Sequence, residues 1–108
     1  VGADELMAQP DGETSAVVAA RVAAARAVQM QRQGVPNAQL EPAAIDLHCA
    51  PTPEAAAFVR NAAQRLGWSG RRLHRTLKVA RTVSDLAGET TIGVAAVAEA
   101  LQAQRALG

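Results

Sequence analysis

The sequence predicts an all-α fold, a small helical bundle of four main helices plus one short helix. Three observations lead there. Alanine fills 26 of the 108 positions and the aromatic residues are only Phe58 and Trp68, so a core must come from Leu, Val and Ala on closely approaching helices. Apolar residues recur at three- and four-residue spacing through every long segment. Those segments also begin at hydroxyl residues or proline and end at glycine or proline, the punctuation of helix termini. No stretch reads as a strand, because short alternations such as Val79 to Val83 lie inside longer helical periods.

Residues 1–14 carry Asp4, Glu5, Asp11 and Glu13 with Pro10 and Gly12 and no sustained period. They read as a linker or loosely docked arm, with the helical domain at residues 15–108. The first helix starts at Ser15 and runs to Gln33, with Val18, Val22 and Ala25 facing inward beside Val17, Ala24 and Val28, until Gly34 and Pro36 stop it. Glu41 to Cys49 is a short helix with Pro42 in its first turn and Pro51 beyond its end. Thr52-Pro53-Glu54 then supplies a capping hydroxyl, a proline at the first helical position and a carboxylate at the positive end of the dipole. The inner face of that third helix is expected at Ala55, Phe58, Val59, Ala62 and Leu66, with Gly67 ending it.

The fourth helix carries the most information. Ser69 is its cap, and Trp68 and Leu73 stand at the positions of a hydrophobic staple. At 100° per residue, Leu73, Leu77, Ala80, Val83 and Ala87 fall on one side and Arg71, Arg75, Lys78 and Thr82 on the other. After Gly88 and a polar turn at Thr90 and Thr91, a last helix presents Val94, Val97, Ala98 and Leu101.

The formal net charge of +1 hides a positive middle. Seven of the eleven Lys and Arg residues lie between Arg60 and Arg81, and no Asp or Glu occurs between Glu54 and Asp85. An anion is the natural partner of such a stripe. Arg71 stands in the first helical turn, where free N–H groups and the dipole already favour phosphate and a guanidinium adds bidentate contacts. Arg81 and Asp85, four apart, read as a surface pair worth a few tenths of a kcal/mol.

Other chemistry is poorly supported. There is no Gly-rich phosphate loop with Lys-Ser or Lys-Thr, and no apolar strand ending in paired acids for magnesium. Turnover of ATP is therefore not expected of this piece alone. His48-Cys49 with a distant His74 lacks zinc spacing, and no base is assigned to Cys49, so a packed short helix is the favoured reading there. The chain begins at Val1 without a Met, a signal segment or an apolar run near the roughly 20 residues that span a bilayer. With one cysteine it is expected to be a piece of a longer cytoplasmic protein with no membrane partner.

Several separated motifs occur in order. They are Ser15 to Val22, Arg32-Gln33-Gly34 with Asn37, His48-Cys49, Arg65-Leu66-Gly67, Ser69-Gly70-Arg71, His74-Arg75 and Val79 to Leu86. Together they resemble the C-terminal domain of magnesium-chelatase-like ATPases, the ComM competence-protein family. The resemblance implies the helical lid of an AAA+ ATPase, with the phosphate-binding loop and magnesium-binding acids in a preceding part of the full protein. It implies ATP and Mg as cofactors of that parent, none for the isolated chain, and the ATPase core and neighbouring subunits of a homo-hexameric ring as partners. A sensor arginine of related lids matches Arg71, with Arg75 and Arg81 as neighbouring candidates for nucleotide contact. Relatives are linked to DNA uptake and branch migration, so DNA is a possible partner, and nothing in the sequence chooses between DNA processing and metal chelation. Two rival readings remain: a nucleic-acid-binding module that uses Arg71, Arg75, Lys78 and Arg81 on phosphates, and a plain protein-interaction bundle.

Overall fold

Three of the helices start behind a hydroxyl cap, at Thr14, Thr52 and Ser69. In the computed structural model, which describes residues 14–106, α1 spans Ser15–Gln33 and the Thr14 hydroxyl accepts from the Val17 N–H at 3.2 Å. The arm expected at residues 1–14 lies outside the described residues apart from this Thr14 cap, as do residues 107–108. A 3₁₀ turn follows at Asn37–Gln39, then the short α2 at Pro42–His48. α3 spans Pro53–Leu66 behind its Thr52 cap, α4 spans Gly70–Leu86 behind Ser69, and α5 spans Val94–Ala106. Four main helices and one short helix make up the fold, with no strand among the described residues.

Two glycines determine how the central helices end. Gly67 and Gly88 adopt φ values of 68° and 74°, where an L side chain is strained. At Gly67 the Trp68 N–H donates to the Ala63 carbonyl at 2.9 Å; at Gly88 the Glu89 N–H donates to the Ser84 carbonyl at 2.9 Å. Both are left-handed caps that satisfy carbonyls the helix leaves open.

α4 is the central element, with α1, α2 and α5 packed around it, while α3 packs on α5. The core gathers Leu40, Ile45, Cys49, Ala55, Val59, Leu77, Ala80, Ile92, Val97, Ala100 and Leu101, flanked by half-buried Trp68, Leu73 and Val83. Ile92, in the link between α4 and α5, is fully buried, and its carbonyl accepts from the Thr52 N–H at 3.0 Å. That bond ties the start of α3 to the start of α5.

Two expected faces are corrected and a third is extended. On α1 only Ala25 and Gln29 are buried, whereas Val17 and Val22 are each 48% exposed and Val28 is 47% exposed. Among the described residues no element covers the first turns of α1. On α3 the buried line is Ala55, Val59 and Ala63, at four-residue steps, which leaves Phe58 and Leu66 exposed. On α5, Ala96, Ala100 and Gln104 join Val97 and Leu101 inside, and Val94 and Ala98 lie at the margin. Small residues are selected because α3, α4 and α5 approach closely.

Leu77 is buried on the inner side of α4 as expected. Leu77→Ala should lower stability by about 2–5 kcal/mol through lost burial and an unfilled cavity. Chemical denaturation of the two proteins measures this, and a loss below about 1 kcal/mol would mean that neighbours collapse into the space.

Candidate functional site

The first turn of α4 is set by Ser69, whose hydroxyl accepts from the Arg72 N–H at 3.3 Å. The helix then sends side chains in two directions. Arg72 turns inward, its guanidinium 4.5 Å from the centre of the Trp68 ring and donating to the Gln104 carbonyl at 2.9 Å. It thus joins the start of α4 to the last turns of α5. Arg71 and Arg75 turn outward and are exposed.

An open groove of about 590 Å³ lies along that outer side, lined by Leu40, Pro42 and Ile45 on one wall and Gly70, Arg71, His74, Arg75 and Lys78 on the other. The Lys78 ammonium donates to the Ala38 carbonyl at 3.2 Å, and His74 Nε2 lies 3.2 Å from Asp46 Oδ1 on α2. Arg71 and Arg75 have no hydrogen-bond or ion-pair partner among the described residues. One unpaired guanidinium, that of Arg71, thus stands at the positive end of a helix dipole with the unpaired Arg75 one turn along, an arrangement that suits a phosphate group.

Arg81, the third candidate, lies elsewhere. Its side chain is buried, its guanidinium donates to the Thr90 carbonyl at 3.2 Å and the Glu89 carbonyl at 3.0 Å, and its Nε lies 3.2 Å from Asp85 Oδ1. The expected surface pair is an interior one. The sequence does carry the signal: Arg81 stands four residues after Leu77, on the same side of the helix.

Around Asp85 the resemblance motifs converge into one polar network. Arg32 makes a two-pronged contact to the Asp85 carboxylate at 3.0 and 3.1 Å, and the Asn37 amide donates to Asp85 and to the Thr82 hydroxyl, each at 3.0 Å. Gln33 and Arg32 donate to the Asn37 side-chain oxygen at 2.8 and 3.0 Å, while the Asn37 N–H donates to the Gln29 side chain at 3.0 Å. Burial pushes the Asp85 carboxyl up, but hydrogen bonds from Arg32 and Asn37 and the charges of Arg81 and Arg32 outweigh it, so the carboxyl titrates below its ordinary value. Gln29, Arg32, Gln33 and Asn37 therefore clamp the end of α1 to α4.

Cys49 is fully buried, and burial pushes its thiol up to about 11, so at neutral pH it is a packed, protonated group. No cluster of three or more His, Cys, Asp or Glu residues that could hold a metal ion occurs among the described residues. No helix there is long and apolar enough to cross a membrane.

Residues 12–104 match the family model described as magnesium chelatase, subunit ChlI C-terminal. The chain belongs to this family. As a ChlI C-terminal domain it is 44% identical over 90 residues to the competence protein ComM of Haemophilus influenzae, covering 83% of this chain and 18% of the relative. It is 43% identical to the uncharacterized protein YifB of Escherichia coli and 41% identical to that of Salmonella typhimurium, each over 75 residues, 69% of this chain and 15% of the relative. The ChlI C-terminal domain thus spans less than a fifth of the length of these relatives. No solved structure matches the chain.

Proposed function

We propose that this chain is the helical lid of a ring-forming AAA+ ATPase, in which Arg71, with Arg75 beside it, contacts a phosphate of ATP held chiefly by the preceding part of a longer polypeptide. The observation that carries the reading is the pair of unpartnered guanidinium groups at the start of α4, facing an open groove. Magnesium and the loop that grips the nucleotide belong to that preceding part in this reading. Charge stabilisation at the transferring phosphoryl group is the chemistry an arginine supplies there. Arg81, fixed to Glu89, Thr90 and Asp85, holds the lid's shape instead.

The half-exposed valines of α1 are assigned to packing on the preceding part of the same polypeptide, which the length of the relatives supplies. A role in competence is proposed by kinship with the Haemophilus protein, and a hexameric ring in the cytoplasm with DNA as a possible partner is the setting that the family resemblance implies.

The test is a titration of the isolated chain with inorganic pyrophosphate, followed by NMR. Saturable, roughly millimolar, salt-weakened shifts across Gly70 to Lys78 are expected, and they should vanish when Arg71 and Arg75 are both replaced by Ala. A flat titration would overturn the reading. Micromolar DNA binding that persists at physiological salt and is lost on replacing Arg75 and Lys78 by Ala would favour a nucleic-acid module instead.

A further inference from the structure

The groove contains one feature that a simple phosphate cradle does not need. His74 lines the cationic wall, one turn from Arg71 in one direction and one turn from Lys78 in the other. Its Nε2 lies 3.2 Å from a carboxylate oxygen of Asp46, which reaches across from α2. The charged groups around His74 on α4 are Arg71, Arg75 and Lys78, all cationic; the carboxylate comes from the facing helix.

We propose that Asp46 is a built-in competitor for the phosphate groove, holding His74 until an anion takes the Asp46 carboxylate's place at Nε2. This rests on the reading of the groove as a phosphate site. A carboxylate and a phosphate oxygen are acceptors of the same kind, and His74 donates to either one through the same N–H. When phosphate binds, Nε2 exchanges one anionic acceptor for another and Asp46 returns to water. The exchange is inexpensive because the Asp46 side chain is already 71% exposed. It also removes the one side-chain bond between α2 and α4 among the described residues, so occupancy of the groove is reported to α2.

Removing an exposed carboxylate of this kind should tighten anion binding roughly 1.4-fold to fivefold. The experiment is a pyrophosphate titration of the intact chain, read from the His74 ring and the Gly70 to Lys78 amides, for wild type, Asp46→Asn, Asp46→Glu, His74→Gln and the Asp46→Asn/His74→Gln double variant. Melting curves on the same proteins verify that all are folded. Tighter binding in Asp46→Asn, near wild-type affinity in Asp46→Glu, and a smaller gain from Asp46→Asn once His74 is Gln would support the competitor. Unchanged affinity in Asp46→Asn would overturn it and leave the groove reading standing. An equal gain with and without His74 would overturn it as well, because the effect would then be charge acting at a distance. No saturable shift in any of the five proteins would overturn the groove reading and the competitor with it.

Discussion

On the proposed reading, Arg71→Ala introduced into the longer polypeptide is expected to cut ATP turnover by orders of magnitude while this domain stays folded. The two halves of that expectation have separate causes. Arg71 is exposed and makes no hydrogen bond or ion pair among the described residues, so its truncation removes almost no packing. A cation that meets developing phosphoryl charge in a closed site is worth far more, about 10³–10⁵ in rate where such arginines have been removed from other enzymes. Arg71→Lys should recover little, because an ammonium does not reproduce the planar fork. Turnover and melting measured on wild type, Arg71→Ala and Arg75→Ala apportion the role. Normal turnover in Arg71→Ala with a collapse in Arg75→Ala would move the contact one turn along α4. Normal turnover in both would reduce the groove to solvated surface.

Asp85→Ala should be the most damaging single change to stability, at about 3–5 kcal/mol. It strands two arginines: Arg81, whose side chain is 5% exposed, and Arg32, at 22%. It also removes an acceptor from Asn37, which loosens the 3₁₀ turn and the end of α1 together. Set against a typical domain stability of about 5–15 kcal/mol, such a loss leaves little margin. Asp85 also gives stability a pH signature. Its carboxyl is depressed in the folded chain, so its contribution is fully present above the ordinary value of 3.8 and is lost as pH falls through the lower folded value. Urea unfolding at neutral pH and at pH values below 3.8 should therefore show a smaller acid-induced drop in Asp85→Asn than in wild type. An equal drop in both would place the acid-sensitive group elsewhere.

Local rules made much of this architecture legible. Thr52-Pro53 and Ser69 start their helices because hydroxyl capping is a property of two or three residues, and Gly67 ends one for an equally local reason. Arg71 and Arg75 could be placed on an outer stripe for the same reason: helical spacing alone separates them from Leu77. What spacing does not contain is which partner each side meets. Val17 and Val22 have the pattern of an inner face, yet the described residues supply nothing to cover them. Gln29 and Asn37 look like surface residues and are buried, because each satisfies the other across a turn that has no periodic signature. The pairing of Arg81 with Asp85 was visible at i, i+4, but its depth depends on Arg32, 53 positions away from Asp85 in the chain. The side wall of the groove has no local signature either, since Leu40, Pro42 and Ile45 reach α4 only through tertiary packing.

The clamp at the end of α1 also fixes how force travels through the molecule. Gln29, Arg32 and Gln33 hold one end of a 19-residue rod, while the ten residues before Ala25 extend about 15 Å without a buried anchor. A displacement of that free length would be passed to α4 through the contacts that Asp85 makes with Arg32 and Asn37. Arg71 sits fourteen residues along α4, about 21 Å from Asp85, so a tilt of α4 by about three degrees, pivoting at Asp85, would displace Arg71 by about an ångström, enough to make or break a hydrogen bond.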